Sequence, residues 1–240
     1  MSIHFISDLH LDESRSEVNH YFLNYLSKLD KNITDLYILG DLFEYWVGDD
    51  DPMQGLDNIK ESINKLGENI NIWYMHGNRD FLISKCICND FNMKLISDPT
   101  LITRENKRIL LMHGDTLCID DIEYQNFRSI VRSKEWQDSM LSKSLDDRLV
   151  IADNLRKQSQ LANKGKNEEI MDVNDKEVIK ILKEHQPDIL IHGHTHRPNI
   201  HQYNIDGSQI YRYVLGDWYD KFFILSLENN KFTITKGALK

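Results

Sequence analysis

The chain has 240 residues, 40% of them hydrophobic and 10% aromatic, which suits a single globular domain with room for an inserted sub-domain. A formal net charge of −9 argues against a general nucleic-acid binder. The opening Met1-Ser2-Ile3-His4-Phe5-Ile6 has neither a basic region nor a long apolar run, and no window nears the ~18 apolar residues of a membrane span, so neither a secretory signal nor a transmembrane helix is expected.

Taken in chain order, Ile3 to Ser7 reads as a short buried strand ending at Asp8. Val18, Phe22, Tyr25, Leu26 and Leu29 share one face of a helix over 18–29. Leu36 to Leu39 is a second buried strand, followed by a helix through Leu56, Ile59, Ile63 and Leu66 that Gly67 stops. Ile70 to Met75 is a third strand and Arg108 to Met112 a fourth. A helix over 179–185 ends before Pro187, and Ile189 to Ile191 is a fifth strand. Tyr211 to Leu215, Phe222 to Leu227 and Lys231 to Thr235 read as closing strands. Strands alternating with helices and then a β-rich tail predict a layered α/β architecture.

Residues 121–167 depart from this pattern. They hold no proline and a single late glycine, with helical runs at Phe127, Ile130 and Val131 and then at Leu145, Leu149, Ile151 and Leu155. A helical insertion is expected there. From Arg128 to Lys166 nine Lys/Arg face five Asp/Glu, a net of +4, which leaves −13 on the rest of the chain. A basic, partly apolar insert suits an anionic amphiphile, or else it is a solvated pair of helices packed over the sheet.

Five polar motifs follow the apolar runs: Asp8-Leu9-His10, Gly40-Asp41, Gly77-Asn78-Arg79-Asp80, His113-Gly114-Asp115 and Gly193-His194-Thr195-His196. In open α/β sheets such strand ends converge on one crevice. Asp8, His10, Asp41, Asn78, His113, His194 and His196 offer seven metal ligands, which serve two adjacent divalent ions if one carboxylate is shared. Carboxylate, amide and imidazole donors without thiolate suit Mn²⁺, Zn²⁺ or Fe. Two-metal sites clamp an in-line displacement at phosphorus, so hydrolysis of a phosphate ester or pyrophosphate is expected. His76 and His192 read as strand-end or supporting residues, and Asp80 and Asp115 as carboxylates that orient their neighbours. Cys86, Cys88 and Cys118 lack the spacing of a disulfide framework or a zinc site and are expected as ordinary thiols in a reducing compartment.

The five motifs, in this order across residues 8–196, resemble the calcineurin-like metallophosphoesterase superfamily. The resemblance implies a layered β-sandwich with flanking helices. It assigns Asp8, His10, Asp41 and His196 to one ion and Asp41, Asn78, His113 and His194 to the other, with Asp41 as the bridge and a bridging hydroxide as nucleophile. The runs Gly40-Asp41-Leu42-Phe43-Glu44-Tyr45-Trp46-Val47-Gly48-Asp49-Asp50-Asp51, His76-Gly77-Asn78-Arg79-Asp80-Phe81, Met112-His113-Gly114-Asp115-Thr116-Leu117-Cys118 and His192-Gly193-His194-Thr195-His196-Arg197-Pro198 are similar to the UDP-2,3-diacylglucosamine diphosphatase family, as is Ile170-Met171-Asp172-Val173-Asn174.

That closer resemblance implies two Mn²⁺ ions, a helical cap over 121–167, and a peripheral place on the cytoplasmic face of the inner membrane in lipid A biosynthesis, with no obligate protein partner. It implies attack on the α-phosphorus of UDP-2,3-diacylglucosamine to give UMP and lipid X. Catalysis would rest on Asp41, Asn78, Arg79 and His194, and substrate contacts on Asn78, Arg79, Asp121, Ser159, Asn163, Lys166 and His194. Ser159, Asn163 and Lys166 would share one helical face if the helix continues past Gly165. Arg79 stands where many calcineurin-like phosphatases carry a histidine. Arginine cannot act as an acid at neutral pH, which favours pyrophosphate hydrolysis with its good leaving group. Another phosphodiesterase, a nucleotide pyrophosphatase, or a scaffold that merely binds metal are the alternatives.

Overall fold

The computed structural model describes residues 2–29, 32–163 and 170–239. In chain order the first half contains β1 (Ser2–Ile6), α1 (Ser16–Lys28), β2 (Ile33–Leu39), α2 (Asp57–Gly67), β3 (Asn71–Met75), α3 (Lys85–Asp90), β4 (Met93–Ile96), β5 (Thr100–Arg104) and β6 (Lys107–Met112). After a 3-10 turn at Asp115–Leu117 come α4 (Ile122–Val131), α5 (Lys134–Leu141), α6 (Leu145–Asn163) and α7 (Asp175–His185). The chain closes with β7 (Ile189–His192), β8 (Asn199–Ile205), β9 (Ser208–Val214), β10 (Lys221–Glu228) and β11 (Lys231–Ala238).

The strands form two sheets, ordered β11-β10-β1-β2-β3-β4 and β5-β6-β7-β9-β8. β1 to β4 run parallel, as do β6, β7 and β9, and antiparallel strands finish every outer edge except the one formed by β4. Parallel strands carry layers on both faces, so they read as continuous apolar runs such as Leu36–Leu39 and Ile109–Met112. Phe5, Tyr37, Leu39 and Met75 of the first sheet meet Ile109, Leu111, Ile189 and Ile191 of the second in the central core. On the other face of the first sheet, Leu36, Ile38, Ile72 and Tyr74 pack against Val18 and Phe22 of α1 and Ile59 and Ile63 of α2. Val178 and Leu182 of α7 cover Leu110, Met112 and Leu190 of the second sheet. Each such aromatic or aliphatic side chain, fully buried, contributes about 1.5–3 kcal/mol.

Helix ends follow local chemistry. Asn174 caps α7 by accepting from the N–H groups of Lys176 and Glu177, and Gln186 ends it in a left-handed conformation just before Pro187. Asp121 caps α4 through Tyr124 N–H, and Ser133 caps α5 through Trp136 N–H. Four elements have no counterpart in the sequence reading: α3, β4, β5 and β8. The six-residue α3 is too short to show a period. β5 and β8 are edge strands with alternating, largely exposed positions, so neither contains an apolar run.

Helices α4, α5 and α6 occupy the stretch expected to be an insertion. Their cations turn inward more than the sequence suggests. Arg128 Nε lies 2.6 Å from Asp115, and Arg132 donates to the Gly77 carbonyl at 2.7 Å. Arg148, 2% exposed, donates to the Val47 carbonyl at 2.8 Å and pairs with Asp50. Arg156 reaches Glu44 at 3.0 Å. Much of the basic excess therefore seams the helices to the body and is not an open cationic face.

Candidate active site

The loops leaving β1, β2, β3, β6 and β7 carry the five motifs, and they meet at one edge of the two sheets. The backbone there is bent to aim side chains. Asp8, His10, Asp41, His194 and His196 all have left-handed φ, between 52° and 68°, a region non-glycine residues enter at a cost. Such outliers gather at functional sites, where the surrounding structure holds them. The loops also approach closely. A Cβ at Gly77 would collide with the Asp41 carboxylate, and one at Gly193 with Asp8 and Ser7.

All seven expected ligands come together. His196 Nε2 lies 3.3 Å from Asp8 Oδ1 and 3.4 Å from His10 Nε2. Asn78 Oδ1 lies 3.0 Å from His113 Nε2 and 2.8 Å from His194 Nδ1. Asp41 stands between these groups, with Oδ2 3.8 Å from His10 Nε2 and Oδ1 3.9 Å from His113 Nε2. Ligand atoms of Asp8, His10 and His196, and again of Asp8, Asp41 and His113, lie within 4.8 Å of one another.

The donor set fits divalent cations. His113 Nδ1 donates to the Leu39 carbonyl at 2.9 Å, which leaves the lone pair of Nε2 facing the carbonyl oxygen of Asn78. Lone pairs that face each other in a buried cluster call for a cation between them. Among the protein's own groups, burial pushes the Asp41 carboxyl up to about 7. Burial also lowers His194 to about 4, whereas at His113 burial is outweighed by the charges of Asp41, Asp115 and Asp8, which raise the imidazole to about 9, so a cation binding there displaces a proton. Asp41, Asp8, Asn78 and the four histidines could therefore hold metal.

Supporting groups fix this ring. Asp80, fully buried, accepts from Leu42 N–H at 2.7 Å, Phe43 N–H at 3.3 Å and Gly77 N–H at 2.9 Å, and so ties the Asp41 loop to the Asn78 loop. Asp115 acts differently from expectation. Its carboxylate takes Tyr124 Oη at 2.9 Å and Arg128 Nε and makes no hydrogen bond to a ligand atom. It reaches the ring indirectly, because the Tyr124 ring packs on His194 at 5.7 Å. His192 is buried between the Gly193 carbonyl and Arg212, on the far side of the motif, and His76 bonds the Ile83 carbonyl. Neither faces the ring. Cys88 and Cys118 are buried and Cys86 is exposed, all three free thiols.

A cavity of about 450 Å³ opens from the ring and is lined by Asp121, Tyr124, Ser159 and Arg197 besides the ligands. A second, of about 520 Å³, shares Asn78, Arg79 and Ser159 with the first and runs on to Trp46, Phe81, Val131, Trp136, Met140 and Leu149. Arg79, Asp121 and Ser159 therefore line the same continuous space. Asn163 ends α6, and its side chain and Lys166 lie outside the described residues.

Besides Ser7, whose hydroxyl donates to Asp8 Oδ2, sequence reasoning missed four described residues that touch this ring. Glu44 approaches His10, Asp217 accepts from His196 Nδ1 at 3.2 Å, and Tyr219 packs on both those histidines. Tyr124 is the fourth. The Asp217 signal was present: Gly216-Asp217 follows an apolar strand end, as Gly40-Asp41 does.

No helix among the described residues is long and apolar enough to cross a membrane. Residues 1–198 match the calcineurin-like phosphoesterase family. The chain is 42% identical over 232 residues to the UDP-2,3-diacylglucosamine hydrolase of Marinobacter nauticus, covering 96% of this chain and 95% of that protein. It is 44% identical over 222 residues to the UDP-2,3-diacylglucosamine hydrolase of Aromatoleum aromaticum, covering 92% and 90%. The fold is similar to that of an archaeal phosphodiesterase, with a TM-score of 0.50 at 12% identity over 98% of this chain and 99% of the other. With a strand-end ring of candidate metal-binding side chains and this coverage, the chain belongs to the calcineurin-like phosphoesterases and, within them, to the UDP-2,3-diacylglucosamine hydrolases.

Proposed function

We propose that the chain hydrolyses the pyrophosphate bond of UDP-2,3-diacylglucosamine, giving UMP and 2,3-diacylglucosamine 1-phosphate for lipid A biosynthesis, with two Mn²⁺ ions bound. The observation that carries this reading is the continuity of the candidate metal-ligand ring with a cavity of mixed lining and then a more apolar one. A head group with a diphosphate and two acyl chains has the same order of polarity. Relatives named for that substrate support it.

Asp41 would be shared between the two ions, with Asp8, His10 and His196 holding one and Asn78, His113 and His194 the other. Bound divalent ions supply charge neutralisation and an activated water. The rest falls to the chain. Arg79, whose N–H is anchored on Asp41 Oδ1 at 2.8 Å, turns its guanidinium into both cavities and grips phosphoryl oxygens. It donates hydrogen bonds but no proton, so the leaving group must depart as an anion, as a sugar 1-phosphate does. Attack at the α-phosphorus meets that requirement. Asp121, Ser159, Asn163 and Lys166 contact the head group, and the wall of Trp46, Trp136 and Met140 shelters acyl chains, each buried CH₂ contributing about 0.8 kcal/mol.

Helices α4 to α6 act as a cap. Ile122, Ile130, Val150 and Leu161 are each more than half exposed on them, which supports a peripheral seat on the cytoplasmic face of the inner membrane. No nucleic acid and no obligate protein partner enter this scheme.

The test is incubation with UDP-2,3-diacylglucosamine and Mn²⁺ in H₂¹⁸O. UMP carrying the label supports the whole reading. Label in the sugar phosphate reverses the site of attack, and turnover of UDP-sugars without acyl chains at equal rate reduces the assignment to a general nucleotide pyrophosphatase.

A further inference from the structure

Glu44 lies three residues beyond Asp41 and has no part in the scheme above. Its N–H donates to the Leu11 carbonyl at 3.0 Å, which ties its segment to the one bearing His10. Its side chain is 2% exposed, yet three basic groups close on it. Oε1 lies 3.0 Å from Arg156 Nε and 3.6 Å from Arg79 Nη1. Oε2 lies 3.4 Å from His10 Nδ1, and these two buried atoms have no hydrogen-bond partner elsewhere.

We propose that Glu44 is a positioning residue that holds His10 in its metal-binding tautomer and is itself held by Arg156 from α6. This rests on the reading of His10 as a metal ligand. Each of the paired atoms would otherwise be a buried polar group without a partner, which costs about 1–3 kcal/mol. A carboxylate only accepts, so Glu44 Oε2 requires the proton on His10 Nδ1. That leaves the lone pair on Nε2, the atom that faces Asp41 and His196. The rotamer of Glu44 is in turn set by Oε1, where the two guanidinium groups gather. Arg156 belongs to α6, so it links that helix to the metal ring through Glu44.

The amide variant separates this role from packing. In Glu44→Gln the arginines claim the amide oxygen, so the NH₂ group faces His10 Nδ1. The imidazole must then accept at Nδ1 and carry its proton on Nε2, the wrong tautomer for ligation. Glu44→Ala makes a cavity but leaves His10 free to choose.

The experiment titrates the full chain with Mn²⁺, following free Mn²⁺ by electron paramagnetic resonance, alongside thermal melting. E44Q should weaken one Mn²⁺ site by about 10–100-fold. E44A should melt lower than E44Q yet bind Mn²⁺ no more weakly. Arg156→Met should also weaken that site and add nothing in the E44Q background. E44Q with wild-type affinity, or E44A losing affinity in step with its melting temperature beyond E44Q, overturns the positioning role. R156M that is silent, or additive with E44Q, overturns the link to α6. A wild-type chain without Mn²⁺ affinity overturns the metal reading on which the proposal stands.

Discussion

Replacing Asp80 by Asn should cost far more than an isosteric change of one charge. The Asp80 carboxylate is fully buried and accepts three backbone N–H groups, with Oδ2 serving Leu42 and Phe43 and Oδ1 serving Gly77. An amide has one acceptor and one donor end, so one side must set NH₂ against N–H. The cheaper orientation keeps the oxygen on Leu42 and Phe43 and strands Gly77. A hydrogen bond to a charged group contributes about 1.5–3 kcal/mol, and the orphaned donor adds about 1–3 kcal/mol, so a loss of about 3–5 kcal/mol is expected. For a chain of this size each kcal/mol moves the melting temperature by about 2–4 °C, giving a fall of about 6–20 °C. Because Gly77 precedes Asn78, Mn²⁺ affinity should fall as well. Differential scanning fluorimetry and Mn²⁺ titration read the two effects. A D80N protein that melts within about 2 °C of wild type would refute the idea that this carboxylate braces the two loops.

Other outcomes follow from the same geometry. Asp41→Ala removes a carboxylate that turns an oxygen to each half of the ring, so elemental analysis should find both of the proposed Mn²⁺ ions lost, not one, along with nearly all hydrolysis. Removing both acyl chains from the substrate should lower kcat/KM by at least about 100-fold, since even four buried CH₂ groups amount to about 3 kcal/mol; an unchanged value would empty the apolar cavity of its role. Narrowing that cavity with Met140→Trp should raise KM for the diacylated substrate and leave Mn²⁺ titration as it was. Of the three thiols only the exposed Cys86 should react with iodoacetamide in the native chain up to about pH 9, because burial pushes Cys88 and Cys118 up to about 12; mass spectrometry finding more than one adduct would contradict this.

Much of this protein was legible before any fold was known. The parallel strands β1, β2, β3, β6 and β7 are buried on both faces, so each appears in the sequence as an apolar run, and the chemistry sits directly after each run. Order along the chain therefore pointed to the seven side chains that the fold brings together, because each candidate ligand is an Asp, Asn or His standing where a strand delivers it. Helices α4 and α6 were legible from their apolar spacing, whereas α5 has no separate signal in the sequence reading. Edge strands β5 and β8 were not, since half-exposed strands have no run to see.

The tertiary structure decided what depends on residues distant in sequence. Nothing local says that Arg156 reaches Glu44, that Asp217 backs His196, or that Tyr124 carries Asp115 to His194. The net charge of the insert was read correctly as a sum, but its direction was not. Arg128 and Arg148 spend their charge on Asp115 and Asp50 across the fold, and only proximity in space could reveal that. Left-handed φ at five ligands was likewise beyond the sequence. Residue types state which atoms can bind an ion, whereas backbone strain, held by long-range packing, states where those atoms point.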